Sequence, residues 1–162
     1  MKKRLLGIIT LALSLLCVSC EKTPTATWTR FYGFTKADVI GSYEANTDPS
    51  VYAELPTEGV VVYNNASIQI NELSDDMVSL HINIPDKLNK NFTGTVPNND
   101  YNSELGMNNY HEDILFTVYK NDKNQVRLHG RYRYCYYEHI EGVDVLADTD
   151  NYGFDVIKTN NQ

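Results

Sequence analysis

The sequence predicts an all-β domain of eight antiparallel strands, arranged as a barrel or, alternatively, as a β-sandwich. Apolar and polar residues alternate at period two along most of the chain after residue 40, and no stretch there sustains a helical period. The alternating runs are short, and Asn-, Asp- and Gly-rich clusters of the kind that turn one antiparallel strand into the next separate them.

The chain begins differently. Lys2, Lys3 and Arg4 precede an apolar run over 5–16, and Cys17-Val18-Ser19-Cys20 follows, the layout of a secretory signal with small residues at the cut. The run is about 12 residues, against roughly 20 needed to cross a hydrocarbon core, so a cleaved leader over 1–19 is expected and a membrane span is not. A cysteine directly after small residues at the end of such a leader resembles the lipobox of bacterial lipoproteins. That resemblance implies acylation of Cys20 and a lipid anchor that holds the protein in the cell envelope of a Gram-negative bacterium, at the outer membrane.

Residues 20–34 mix Thr, Pro, Lys and aromatics without a period and are expected to form a lipidated tether, leaving 35–162 for the β domain. Thr35-Lys36-Ala37-Asp38 has the Ser/Thr-x-x-acid spacing of a capped helical turn, and Gly41 limits it to a turn or two. Strands are then expected over 41–45, 59–63, 67–71, 77–84, 114–120, 126–138, 143–147 and 152–158. The alternation is cleanest over 77–84, where Val78, Leu80, Ile82 and Ile84 share one face. Lys120-Asn121-Asp122-Lys123-Asn124 reads as a hairpin loop. The segment 85–113, rich in Asn and Asp, is expected to be an ordered rim loop held by Phe92, Tyr101 and Tyr110, with a short strand only over 92–96.

A short helical turn feeding Asp38-Val39-Ile40-Gly41-Ser42-Tyr43 resembles the entry to lipocalin-like, or calycin, barrels, with Tyr43 where that family's first strand carries Trp. The resemblance implies a lipocalin-like eight-stranded barrel and transfers no catalytic residue.

Charge narrows the partners. The chain holds 14 Lys and Arg against 21 Asp and Glu, a net −7; removing the leader takes Lys2, Lys3 and Arg4, leaving 11 against 21, or −10. Such a surface repels phosphates, so no nucleic acid partner is expected. Of the three cysteines, Cys17 departs with the leader and Cys20 is acylated, so Cys135 has no disulfide partner and reads as a buried small hydrophobe.

Binding chemistry concentrates in 126–138. One face carries Arg127, His129, Arg131 and Arg133, which places three of the four arginines that follow the leader on one strand face. Arginine suits bidentate capture of carboxylate or phosphate, and the same row also suits an outer face paired across strands to Asp and Glu. The opposite face carries Tyr132, Tyr134 and Tyr136, which either fill a core or line a cavity, each ring bringing an apolar body and a hydroxyl; Gly130 in the same row suggests a bend or bulge. No metal site is expected. His111-Glu112-Asp113 and Glu138-His139-Ile140-Glu141 bunch potential ligands, but neighbours in a strand point to opposite faces and neither has a zinc spacing. Asp148 to Gly153 matches a calcium loop at positions one, three and six and fails at five and twelve.

No nucleophile elbow, phosphate loop or metalloprotease motif occurs, so neither catalysis nor a cofactor is expected. The expected function is that of a lipid-anchored envelope protein binding a small amphipathic or anionic ligand through Tyr132, Tyr134 and Tyr136 or through Arg127, Arg131 and Arg133. The alternative is a surface interaction or adhesin-like accessory protein that docks a protein or glycan partner without catalysis.

Overall fold

The computed structural model describes residues 26–45, 51–55, 59–63, 65–97 and 99–159; the leader, Cys20 and the first part of the expected tether lie outside them. The described residues are all-β apart from one helical turn. That turn, α1 (Lys36–Val39), starts where the spacing predicts: Asp38 Oδ2 accepts from both the Thr35 amide (2.8 Å) and the Thr35 hydroxyl (2.7 Å). The Tyr43 hydroxyl donates to the Val39 carbonyl (2.7 Å), which locks the turn onto the first strand of the core.

Among the described residues eleven strands form one antiparallel sheet. They are β1 (Trp28–Arg30), β2 (Gly41–Ala45), β3 (Val51–Leu55), β4 (Gly59–Val62), β5 (Ser67–Glu72), β6 (Met77–Ile84), β7 (Leu88–Thr95), β8 (Glu104–Asn108), β9 (Glu112–Asn121), β10 (Val126–Ile140) and β11 (Val143–Lys158). Hydrogen bonding runs β1-β9-β10-β11-β2-β5-β6-β7, so the last strand pairs with β2 near the start of the domain. Two edges are shared end to end. Strands β1 and β8 both pair with β9, and β2 and β3 both pair with β11, β3 carrying β4 on its far side.

The sheet does not close into a barrel, because no hydrogen bonds join β7 to β8. Side chains fill that seam instead: Met107 from β8 lies against Gly94 of β7, where an added Cβ would come within 2.5 Å of Met107 Cγ. Inward-facing residues make one core, including Tyr43, Ile68, Ile70, Leu80, Ile82, Phe116, Leu128, Tyr132 and Phe154. In β6 the alternation is realised as expected, with Val78, Leu80, Ile82 and Ile84 buried between exposed or half-exposed neighbours.

Four stretches differ from the sequence expectation, and one is β3, which pairs with β11 and β4 where no strand is expected. The segment read as a rim loop contains β7 and β8, because Leu88, Phe92, Leu105 and Met107 turn inward and close the core beside the seam. Intervening polar residues face out, which makes the run look like loop when composition alone is weighed. Within the expected tether, Trp28–Arg30 pair with β9 and Phe34 is buried in the core. The two strands expected over 143–147 and 152–158 are one strand, β11, with a register shift opposite Tyr136 and Tyr137.

The hairpin loop between β9 and β10 forms where predicted. Asn121 Oδ1 accepts from the Lys123 and Gln125 amides (both 2.9 Å), and Asn124 takes positive φ. Gly130 is neither a bulge nor an opening: it pairs in regular register with Phe116 and Phe154. A Cβ there would collide with the carbonyl oxygen of Leu115, so glycine is required by the close approach of β9 and β10.

Candidate functional site

Alternation sends the two candidate rows of β10 to opposite sides of the sheet. Arg127, Arg131 and Arg133 lie on the outer side, each beside an acid from a neighbouring strand. Arg127 forms a bidentate pair with Asp155 of β11, and the Trp28 ring lies 5.6 Å from its guanidinium carbon. Arg133 pairs with Asp113 of β9 at 2.8 Å, and Arg131 reaches the same carboxylate at 3.8 Å. His129 approaches Asp155 at 3.9 Å. Cross-strand acids thus take up the positive charge of this row, and none of its arginines lines the tyrosine cleft.

The tyrosine row faces the core side and climbs out of it. Tyr132 is fully buried, Tyr134 half-buried and Tyr136 45% exposed, so successive rings pass from core to solvent along one face of β10. They line a cleft of about 320 Å³, whose other walls are Asp150 and Tyr152 of β11 and Lys87, Leu88 and Lys90 at the start of β7. Ring contacts fix the aromatic wall. Tyr134 and Tyr136 meet edge to face at 4.7 Å, Tyr132 lies 6.1 Å from Tyr152, and Phe92 packs at 5.7 Å from Tyr132.

Two carboxylates organise the polar groups. Glu112, at the start of β9, accepts from the Tyr132 hydroxyl (2.9 Å), pairs with Lys90 Nζ (2.7 Å) and accepts from Asn109 Nδ2 (3.0 Å). Burial pushes the Glu112 carboxyl up, but these donors outweigh it and hold it below its ordinary value. Asp150 accepts from the Tyr136 hydroxyl at 2.7 Å, and that hydrogen bond pushes the phenol up to about 12. Burial raises Tyr152 as well, with the Asp150 charge adding to it. The cleft therefore presents tyrosine hydroxyls, the Asp150 side chain and the Lys87 and Lys90 side chains, with Glu112 held on the Tyr132 hydroxyl and on Lys90.

This arrangement can hold an amphipathic molecule: ring faces and Leu88 offer apolar contact, and the carboxylates, phenols and lysines offer hydrogen bonds around it. Lys90 lies over the Tyr134 ring at 5.7 Å and Lys87 stands at the rim. Sequence reasoning places three of the cleft residues, Tyr132, Tyr134 and Tyr136, on one face. Asp150, Tyr152, Glu112, Lys87 and Lys90 are brought to them by pairing of β9 and β11 with β10 and by the turn into β7. The available signal for the last two is the spacing of Leu88 and Phe92, which fits one face of a strand.

Cys135 is buried on the outer side of β10, where its amide donates to the His111 carbonyl (2.7 Å) and the rings of Tyr110, His111 and Tyr137 gather near it. Among the described residues no group of three His, Cys, Asp or Glu side chains could hold a metal ion, and no helix is long and apolar enough to cross a membrane. Compared with known proteins, the chain matches no family model, no curated protein and no solved structure.

Proposed function

We propose that this chain is a lipid-anchored binding protein of the Gram-negative cell envelope, tethered at the outer membrane through acylated Cys20, that holds a small amphipathic ligand in the tyrosine cleft. The observation that carries the reading is the row Tyr132, Tyr134 and Tyr136 passing from core to solvent along one wall of a cleft of about 320 Å³, with Lys87 and Lys90 opposite. A cleft of this size suits a molecule of one or two rings or a short acyl chain. Acids already meet the outer arginines, through Asp113 and Asp155, and Lys90, through Glu112, which leaves Lys87 as the cleft cation without an ion pair among the described residues.

The lipocalin-like reading of the fold belongs to the same proposal. Its support is the chain order around the sheet, in which β2 adjoins β11 and side chains of β7 and β8 meet across a seam without ladder hydrogen bonds. The alternative, an accessory protein for a protein or glycan partner, draws on a different feature, the exposed hairpin of β10 and β11.

The test is mass spectrometry of small molecules extracted from the natively purified chain, compared with Tyr136→Ala and Asp150→Ala. Recovery of one compound from the wild type, strongly reduced in both variants, is expected. Identical extracts from all three would exclude the cleft as the site. The anchor is tested separately, because Cys20→Ala should move the protein from the membrane fraction to the soluble fraction, and continued pelleting would overturn the lipid attachment.

A further inference from the structure

Past the cleft, β10 and β11 leave the sheet. Among the described residues the ladder of β9 follows β10 to Tyr134 and that of β3 begins on β11 at Asn151, so residues 136–150 continue as a two-stranded ribbon with the Tyr110–His111 loop against its β10 side. Its tip turns through Glu141 and Gly142, both at positive φ (53° and 84°). Four aliphatic side chains lie open on this ribbon: Ile140 at 50%, Val143 at 63%, Val145 at 45% and Leu146 at 53% exposure. Single exposed apolar residues are ordinary, but here four of them crowd the end of one hairpin.

Two further observations say what kind of cover fits. The first is the backbone edge: on the β10 side the loop through Tyr110 and His111 packs against Cys135 and Tyr137, whereas β11 over 143–150 pairs outward with no strand among the described residues. The second is charge. From Tyr136 to Asp150 the ribbon holds five acids, Glu138, Glu141, Asp144, Asp148 and Asp150, and no Lys or Arg; Asp144 accepts from Tyr110 and Asp150 from Tyr136.

We propose that the outer edge of β11 over 143–150 docks an extended segment of another protein, one that alternates basic and apolar residues, as an added antiparallel strand. Main-chain groups of the edge would gain partners, the apolar residues of the incoming strand would cover Val143 and Val145, and its Lys or Arg would meet the aspartates. Each alternative cover fails on one count. A second copy or an anionic bilayer would set like charge against the acids, and a small molecule would leave the strand edge unpaired.

The experiment uses the full-length chain and a fluorescent ten-residue peptide alternating lysine and valine. Anisotropy should rise on binding, affinity should fall as salt is added, and amide exchange should slow at 143–150. The variant Val143→Thr with Val145→Thr keeps β-branching and should bind about tenfold more weakly, the loss expected from removing apolar contact at two side chains. A peptide N-methylated along its pairing edge should not bind. The proposal is overturned by absence of binding, by equal binding of a glutamate and valine peptide or of the N-methylated one, or by exchange protection away from 143–150. Dimerisation of the chain alone, or adhesion to phosphatidylglycerol vesicles, if lost in the double valine variant, would identify a different occupant and also overturn it. None of these readouts depends on the cleft ligand, so the two proposals fail independently.

Discussion

The same pair of strands lives in two environments. In its lower half, from Val126 to Tyr132 on β10, the inner face is sealed: Val126, Leu128 and Tyr132 are buried against Phe116, Phe154 and Val156 from the flanking strands. In its upper half, from Tyr136 to the turn and back to Asp148, the pairing of β10 with β11 continues, Tyr110 and His111 reach Tyr137 and Asp144, and Ile140, Val143, Val145 and Leu146 stay exposed. Alternation decides which side of a strand a residue takes. Burial is decided by whatever stands opposite, and the cleft sits at the boundary, where Tyr134 and Tyr136 are half in each world.

The largest break in this comparison should come from the two glycines. Gly130→Ala forces a Cβ into the Leu115 carbonyl, a backbone atom held on both sides by the sheet, and should cost more than about 3 kcal/mol in chemical denaturation. Gly142→Ala at the tip meets nothing within 4 Å, so only its positive φ is charged, about 1 kcal/mol confined to the ribbon, and the global unfolding midpoint should stay put. Equal losses for the two would mean that the ribbon folds as one unit with the core.

Next in size is a matched leucine pair on the two strands. Leu128→Ala removes a side chain with no exposed surface and should destabilise by about 3 kcal/mol, while Leu146→Ala should stay within about 0.5 kcal/mol. A large effect at Leu146 in the isolated chain would show that the ribbon is already covered.

At the boundary, the comparison is read by pH. The folded value of Tyr136 is raised, so its hydrogen bond to Asp150 contributes fully below the ordinary tyrosine value near 10 and is lost as pH climbs through about 12. Tyrosinate absorbance of wild type minus Tyr136→Phe should therefore show a step near pH 12, and Asp150→Asn should draw that step back toward 10. A step already near 10 in the wild type would break the contact. The smallest effect is expected on the outer row, where Arg131→Ala loses only a 3.8 Å ion pair with half of its side chain in solvent, and stability should change by less than about 0.5 kcal/mol.

Much of the strand set was legible because period two marks any strand with one buried face. The row Val78 to Ile84 and the row Val126 to Tyr136 are readable for that reason, and so is the capped turn at Thr35, whose partners are three residues apart. Strand β7 was legible only in the short strand expected over 92–96, since Lys90 and Gly94 share the alternating row of Leu88 and Phe92 and dilute the apolar signal, and β8 was not legible because it offers only Leu105 and Met107. For the cleft, three tyrosines were readable and the groups that make it a cleft were not. Glu112, Asp150 and Lys90 come from separate strands, and only their pairing and the turn into β7 set them beside Tyr132 and Tyr136.

Taken by itself, the amino-acid order determined the all-β class, the two faces of β10 and the acidic character of 134–157, because these depend on local period and on composition. Tertiary structure alone decided that the arginine row meets its acids across strands, that the sheet stays open between β7 and β8, and that the long hairpin runs past the ends of the described strands beside it. Those outcomes depend on the lengths of strands that are distant in sequence, and a strand's own residues do not record where its partners end.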